Sequence, residues 1–386
     1  MTTPIVNTHV HVPPNFSAFA SPEDVVASAQ AEGVRAIGIS NFYDQQVYGR
    51  FAELCRDAGI VPLFGLEFIT LVPDLEAAGI RINDPANPGR MYVCGKGIDP
   101  FRTKLPEAVA TAAQIREGND ARAAEMVAKL DAHLQAAGLG RSLTAAEIAA
   151  DVAARGGVPV EWVSLQERHI ARAVEEAVTA LPAGERSAVL EKAYGAPPKA
   201  ALDDPVAMQG EVRSRLLKAG TAGFAPEVPL SFEAAYAYVL AMGGIPCYPT
   251  LADGVDPVCP FEEPPAALAK RLVERGIHLA ELIPIRNTSA VVDAYVEAFV
   301  AAGIEVVAGT EHNTAERIPF DPACTDGPLS AAARAAFWRG TCIVAAHQAR
   351  LAEDRPGYVD ATGVRAADAD ELVTEGAAII EGITHV

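Results

Sequence analysis

The chain has 386 residues, half of them hydrophobic, and carries 31 Lys and Arg against 50 Asp and Glu, a net charge of −19. That field repels a polyanion and no Lys/Arg run breaks it, which excludes nucleic acid as a bulk partner while leaving room for a small phosphorylated molecule. Six cysteines without a C-x-x-C pair read as reduced packing thiols of a cytoplasmic protein, and no apolar run is long enough to span a bilayer.

The chain opens on a β-branched, period-2 strand from Ile5 to Val12, with no basic and apolar leader before it. Ser21-Pro22-Glu23-Asp24 then has the cap, proline and acids of a helix start. Val34 to Ser40 is a second apolar run, Val47 to Ala58 a helical stripe, and Ile60 to Phe68 a third strand that Glu67 is expected to end. This alternation predicts a parallel sheet or barrel with ligands at the C-terminal strand ends. From Pro106 to about Val228 the pattern changes to helices and polar turns, with a capping box at Thr144–Glu147. Alternation returns with a helix at Ser231–Met242 and a strand around Ile245–Tyr248. A helix at Pro264–Arg275, a strand at His278–Ile283, a helix at Ser289–Ala302 and a strand at Ile304–Gly309 follow. The expected organisation is a barrel in two parts (1–105 and 229–350), a helical insertion (106–228) and a C-terminal extension (351–386).

His9 and His11 stand two apart on the first strand, so both imidazoles leave one face of the pleat. Imidazole is a common ligand of zinc, iron and manganese, although two strand histidines can also merely hydrogen-bond. Glu67 and the pair Glu311-His312 lie near other strand ends, where a barrel brings carboxylates to the same rim. Such convergent His and Glu are hard to explain by packing, because buried charges need partners. Lys96, Arg102, Lys104 and Arg286 flank strand ends and either bind an anion or are solvated surface charges. His133, His278, His347 and His385 read as structural or exposed.

Three segments, Asn7-Thr8-His9-Val10-His11, Gly65-Leu66-Glu67 and Gly309-Thr310-Glu311-His312, resemble in order the motifs of the PHP (polymerase and histidinol phosphatase) superfamily. Arg168-His169-Ile170-Ala171-Arg172-Ala173 is similar to a segment of the inserted domain of PHP nucleotide phosphatases, and Leu230 to Pro246 to the stretch before that family's A-H-P motif. The resemblance implies an α/β fold, a distorted (β/α)7 barrel with an inserted helical subdomain, and metal-dependent phosphoesterase chemistry. Relatives usually hold three metals. Here Ser40-Asn41-Phe42, Met91-Tyr92-Val93, Cys247-Tyr248-Pro249 and Asn313 replace motifs that would supply further histidines. The ligands of the family's first metal survive as His9, His11, Glu67 and Glu311, so the resemblance implies one divalent transition metal ion, Zn, Fe or Mn. In such a hydrolase Glu311 or His312 is expected to carry the catalytic proton. The resemblance places His169 toward substrate in the insertion; Arg168, which stands at the family's proline position while Glu167 takes its arginine position, and Arg286 at a strand end are expected as further substrate contacts. The leading expectation is a hydrolase of a small-molecule substrate. The rivals are an amidohydrolase-like enzyme acting on an amide, lactone or amine, and a metal-binding homologue without turnover.

Overall fold

A computed structural model describes residues 3–102 and 105–382, so Lys104 and His385 lie outside the described residues. The first half-barrel runs β1 (Ile5–Val10), α1 (Pro22–Ala31), β2 (Val34–Ile39), α2 (Tyr48–Ala58), β3 (Val61–Leu71), α3 (Pro73–Ala77) and β4 (Arg90–Lys96). The cap of α1 forms as its sequence predicts, with Ser21 Oγ accepting from the Asp24 amide and Pro22 at the first turn. The insertion holds α4 (Pro106–Ala137), α5 (Ala145–Gly156), α6 (Glu167–Thr179), α7 (Ala183–Tyr194) and α8 (Pro205–Val212), ending in a π-helical turn at Arg213–Leu217. The chain then returns through β5 (Leu230–Ser231), α9 (Phe232–Ala241), β6 (Ile245–Thr250), α10 (Pro265–Glu274), β7 (Leu279–Leu282), α11 (Ser289–Ala301) and β8 (Glu305–Ala308). A short hairpin of β9 (Ala323–Cys324) and β10 (Gly327–Pro328) precedes α12 (Ala331–Ala352) and α13 (Ala369–Gly382).

Among the described residues the main sheet follows the order β1-β2-β3-β4-β6-β7-β8, with β5 beside β3. It curls almost into a barrel. The remaining seam is closed by a bridge between Val10 and Glu311, where the His11 amide donates to the Glu311 carbonyl at 2.7 Å and the Glu311 amide to the His9 carbonyl at 2.8 Å. Gly309 permits that closure, because a Cβ there would lie 2.3 Å from the His9 Cβ.

Two features depart from the sequence reading. The sheet is not wholly parallel, since β4 runs antiparallel to both β3 and β6. In consequence β3 does not stop at Glu67: it leaves β2 after Phe64 and continues, paired with β4, to Leu71. The β3–β4 ribbon therefore rises above the rim, and it carries Arg90 and Tyr92 along the wall of the cavity described below.

Inward residues near the strand starts (Ala36, Leu63, Cys247, Leu279, Val307) pack on Cys342–Ala346 of α12, which closes the barrel floor. Outward residues such as Tyr248, Ala280, Leu282 and Val306 pack in the layer of α10 and α11. The insertion has its own apolar core, in which α4 contributes Ala123, Met126, Val127, Leu130, Leu134 and Ala137 at helical spacing. All six cysteines are unpaired and buried, and no described helix is long and apolar enough to cross a membrane.

His347 of α12 is fully committed to this floor. Its Nε2–H donates to the Gly243 carbonyl at 2.7 Å, and its Nδ1 accepts from the Tyr358 amide at 2.8 Å. Burial pushes the ring from 6.5 down to about 4. The folded protein thus keeps a neutral ring that the unfolded chain protonates below 6.5, so stability is full above that pH and falls as pH drops toward 4. Between pH 7 and 5 the loss from this ring should be about 2 kcal/mol. Urea unfolding of wild type and His347→Gln should show their stability difference shrinking by about that amount over the interval. A constant difference would contradict the assignment.

Candidate metal centre

His9 and His11 are both buried, and their Nε2 atoms lie 3.3 Å apart. A carboxylate oxygen of Glu67, also buried, is 3.4 Å from His11 Nε2. The outer nitrogen of each ring settles its tautomer. His9 Nδ1 donates to Glu281 Oε2 at 2.7 Å, and His11 Nδ1 donates to Asn15 Oδ1 at 3.0 Å. The acceptor role of Asn15 Oδ1 is fixed independently, since the Phe42 amide and Gln166 Nε2 both donate to it at 2.9 Å. Neutral rings so oriented turn both Nε2 lone pairs inward. With both rings neutral, three acceptor atoms converge in a buried space with no donor among them, an arrangement that either a cation or a proton on His11 Nε2 satisfies, and the mixed nitrogen and oxygen set suits a metal ion. Burial alone would depress the His11 pKa, but Glu67 and then Glu311 outweigh it and raise it. Glu67 is lowered in return: burial opposes ionisation, and a bond from His11 when that ring is protonated at Nε2, with the charge of the histidines, prevails.

Beneath His9 lies a charge pair that the sequence reading did not anticipate. Glu281, inside β7, bonds His9 through one oxygen and Lys96 Nζ through the other at 2.7 Å. Lys96 completes its three donors on the Thr8 carbonyl and Ser40 Oγ, each at 3.0 Å. Burial would raise the Glu281 carboxyl, yet Lys96 and then His9 hold it down to about 2. Lys96 is thus neither an anion site nor a surface charge. It is an interior cation, 2 % exposed, locked to Glu281. A clue to Glu281 was present, an acid within the apolar run Leu279-Ala280-Glu281-Leu282. Asn15 gave no such signal.

The other candidate residues divide. The Glu311 carboxylate lies at the same mouth but bonds Arg286 and, at 2.6 Å, Asn313 Nδ2. Its backbone and that of His312 are left-handed, with φ of 59° and 53°, a strained pair at the barrel seam. That turn sends His312 away from the centre. Its Nε2–H donates to the Ile318 carbonyl at 2.8 Å, its Nδ1 accepts from Thr310 Oγ1 at 2.7 Å, and its ring packs on Phe19 and Phe320. Neither nitrogen is available to a ligand or proton. His169 is also drawn aside: its Nδ1 accepts from the Gln166 amide at the start of α6, and its ring lines a separate cavity of about 220 Å³ beside Phe16. Burial, then Arg172, pushes that ring down to about 3.

The main cavity, about 780 Å³, lies between barrel and insertion and falls in the size range of small-molecule sites. Its walls include His11, Glu67 and Glu311 from the barrel and Arg122, Arg168 and Arg213 from the insertion. Phe42 and Tyr92 also line it. Tyr248 does not. Strand alternation turns it outward, where its hydroxyl donates to Glu262 at 2.9 Å. Of the remaining basic residues near strand ends, Arg102 forms an exposed ion pair with Asp354.

Comparison with known proteins adds the fold and nothing finer. No protein-family model and no curated protein sequence matches the chain. Two solved structures share its architecture. A candidate metal-dependent phosphoesterase from Bifidobacterium adolescentis is 14 % identical, with a TM-score of 0.59 over 86 % of this chain and 96 % of its own. An amidohydrolase from Chromobacterium violaceum, solved with sulfate and no metal, is 18 % identical, with a TM-score of 0.53 over 83 % and 93 %.

Proposed function

We propose that the chain is a metal-dependent hydrolase of small organic molecules, phosphoesters first, working with one transition-metal ion. The observation that carries this reading is the convergence of the His9, His11 and Glu67 lone-pair atoms beside a substrate-sized cavity that His11 and Glu67 line. Their mixed nitrogen and oxygen donor set suits Zn, Fe or Mn. Glu311, one strand end away, is the fourth ligand we assign, reached by release from Arg286. When bound, such an ion supplies an activated water and polarises the scissile group. The chain's own groups do the rest. Glu281 and Asn15 hold the two rings in the binding tautomer, Glu311 is the carboxylate placed to take a proton, and Phe42 and Tyr92 limit water around the substrate. The order of the motifs and the phosphoesterase neighbour favour a phosphoester.

A second reading, an amide or lactone substrate, is favoured by the aromatic lining at Phe42 and Tyr92 and by the amidohydrolase neighbour. Elemental analysis of the purified chain should find close to one ion per polypeptide. A panel of phosphomonoesters, phosphodiesters, amides and lactones then separates the two readings. Two or three fully occupied ions would overturn the mononuclear assignment, and a metal-loaded chain inert to the whole panel would overturn the hydrolase.

A further inference from the structure

The cavity has a basic wall that the metal centre does not explain. Arg168 at the start of α6, Arg213 in the π-helical turn and Arg90 at the raised end of β4 all line it, in a chain whose net charge is −19. Their donors are poorly used. Among the described residues Arg168 makes no hydrogen bond or ion pair and only overlies the Phe16 ring at 6.0 Å. Arg213 reaches Glu167 at 3.7 Å, yet its Nε is buried without a partner, as is Nη1 of Arg90. The nearby acids are already engaged. Glu167 is bonded by Arg122 and Lys218, Glu227 by Tyr43, and Glu311 by Arg286. Buried guanidinium donors left without acceptors are rare, and like charges gathered in one wall repel. Burial, Arg213 and Arg286 together push Arg168 down to about 10. An anion entering the cavity would relieve both the unmet donors and the repulsion.

We infer that Arg168, Arg213 and Arg90 form an oxyanion subsite that holds a carboxylate or phosphate terminus of the substrate while another part of that molecule meets the metal centre. The inference rests on the reading of this cavity as a substrate site, but the subsite is built from side chains that need no metal. Arginine forks suit either oxyanion.

The test titrates the full-length chain with inorganic phosphate and with succinate at constant ionic strength in chloride, as purified and after chelator treatment. At least one anion should bind at one per chain in both preparations. Affinity should fall tenfold or more in Arg168→Gln and in Arg213→Gln. It should be unchanged in Arg172→Gln, which removes an arginine from the same helix outside the main cavity. Arg168→Lys keeps the charge and loses the fork, so it should weaken binding a few-fold, and it covers a glutamine variant that does not fold. Preference for phosphate assigns a phosphoryl terminus, and preference for succinate a carboxylate. Binding of neither anion, binding abolished by chelation, or affinities indifferent to Arg168 and Arg213 would each overturn the subsite. Because chelated protein carries the decisive measurement, failure of the metal assignment would leave this result standing, and the reverse also holds.

Discussion

Glu67→Ala and His9→Ala should purify with less than about a tenth of the wild-type metal while keeping a cooperative fold. Each removes one of three converging donors, and losing even a supporting partner of a ligand typically weakens metal affinity 10–100-fold. The fold should survive because the four apolar clusters that hold barrel, helices and insertion do not include these side chains. Glu281→Gln should fall between these variants and wild type. A glutamine amide can donate to His9 Nδ1 as readily as accept from it, so part of the population would carry its proton on Nε2 and aim it at the ion. Elemental analysis with circular dichroism and thermal melts checks all three. Full metal retention in Glu67→Ala would remove that residue from the site.

Lys96→Met should be the most destabilising single change in the barrel interior. The ammonium is replaced by an apolar tip, and the Glu281 carboxylate keeps His9, the Thr8 hydroxyl at 3.1 Å and the weak Cys94 thiol donor at 3.8 Å. Breaking one side of a buried ion pair costs about 3–5 kcal/mol, which for a chain of 386 residues corresponds to a Tm lower by roughly 4–6 °C. Replacing both partners behaves differently, since an apolar pair of similar volume is often neutral. Lys96→Met with Glu281→Leu should therefore recover most of the stability but bind metal more weakly than Lys96→Met alone, because Glu281→Leu takes away the acceptor that orients His9. A double-mutant cycle read by both melting and metal content separates the two roles. A single Lys96→Met chain as stable as wild type would show the pair to be idle.

The parts of this site written into adjacent residues were legible in the sequence. His9 and His11 share a face by strand period, and Gly65-Leu66-Glu67 and the seam at Gly309 are local patterns that the structure brings to one mouth. What escaped depends on distance and on turn geometry. Glu281 meets its cation 185 residues away in the chain, and neither residue announces the other. His312 follows Glu311 directly, but two left-handed residues in succession direct their side chains apart, and no residue type at those positions forecasts that backbone. Tyr248, in a segment read as replacing a histidine motif, faces the outer layer, because alternation along β6 puts adjacent residues on opposite sides of the wall. The antiparallel course of β4 was equally hidden, because strand direction leaves no mark on an apolar run.

That reversal explains the length of α4. Every parallel strand of the barrel delivers the chain to the open mouth, whereas β4 delivers it near the floor, where Arg102 meets Asp354 just beyond α12. A helix of 32 residues, about 48 Å long, then carries the chain back. Its early residues Ala108, Ala112 and Ile115 ride on the barrel flank, Asn119 and Arg122 pass the cavity, and the last four turns anchor the insertion. The helix is thus a strut whose residue count fixes both the height and the rotational phase of everything above it. One residue added on the flank would swing Arg122 through about 100° and lift the insertion by only about 1.5 Å, whereas seven would nearly restore the phase and open the gap by about 10 Å. Variation in this segment is therefore constrained to steps near whole pairs of turns, a mechanical rule set by the direction of a single strand.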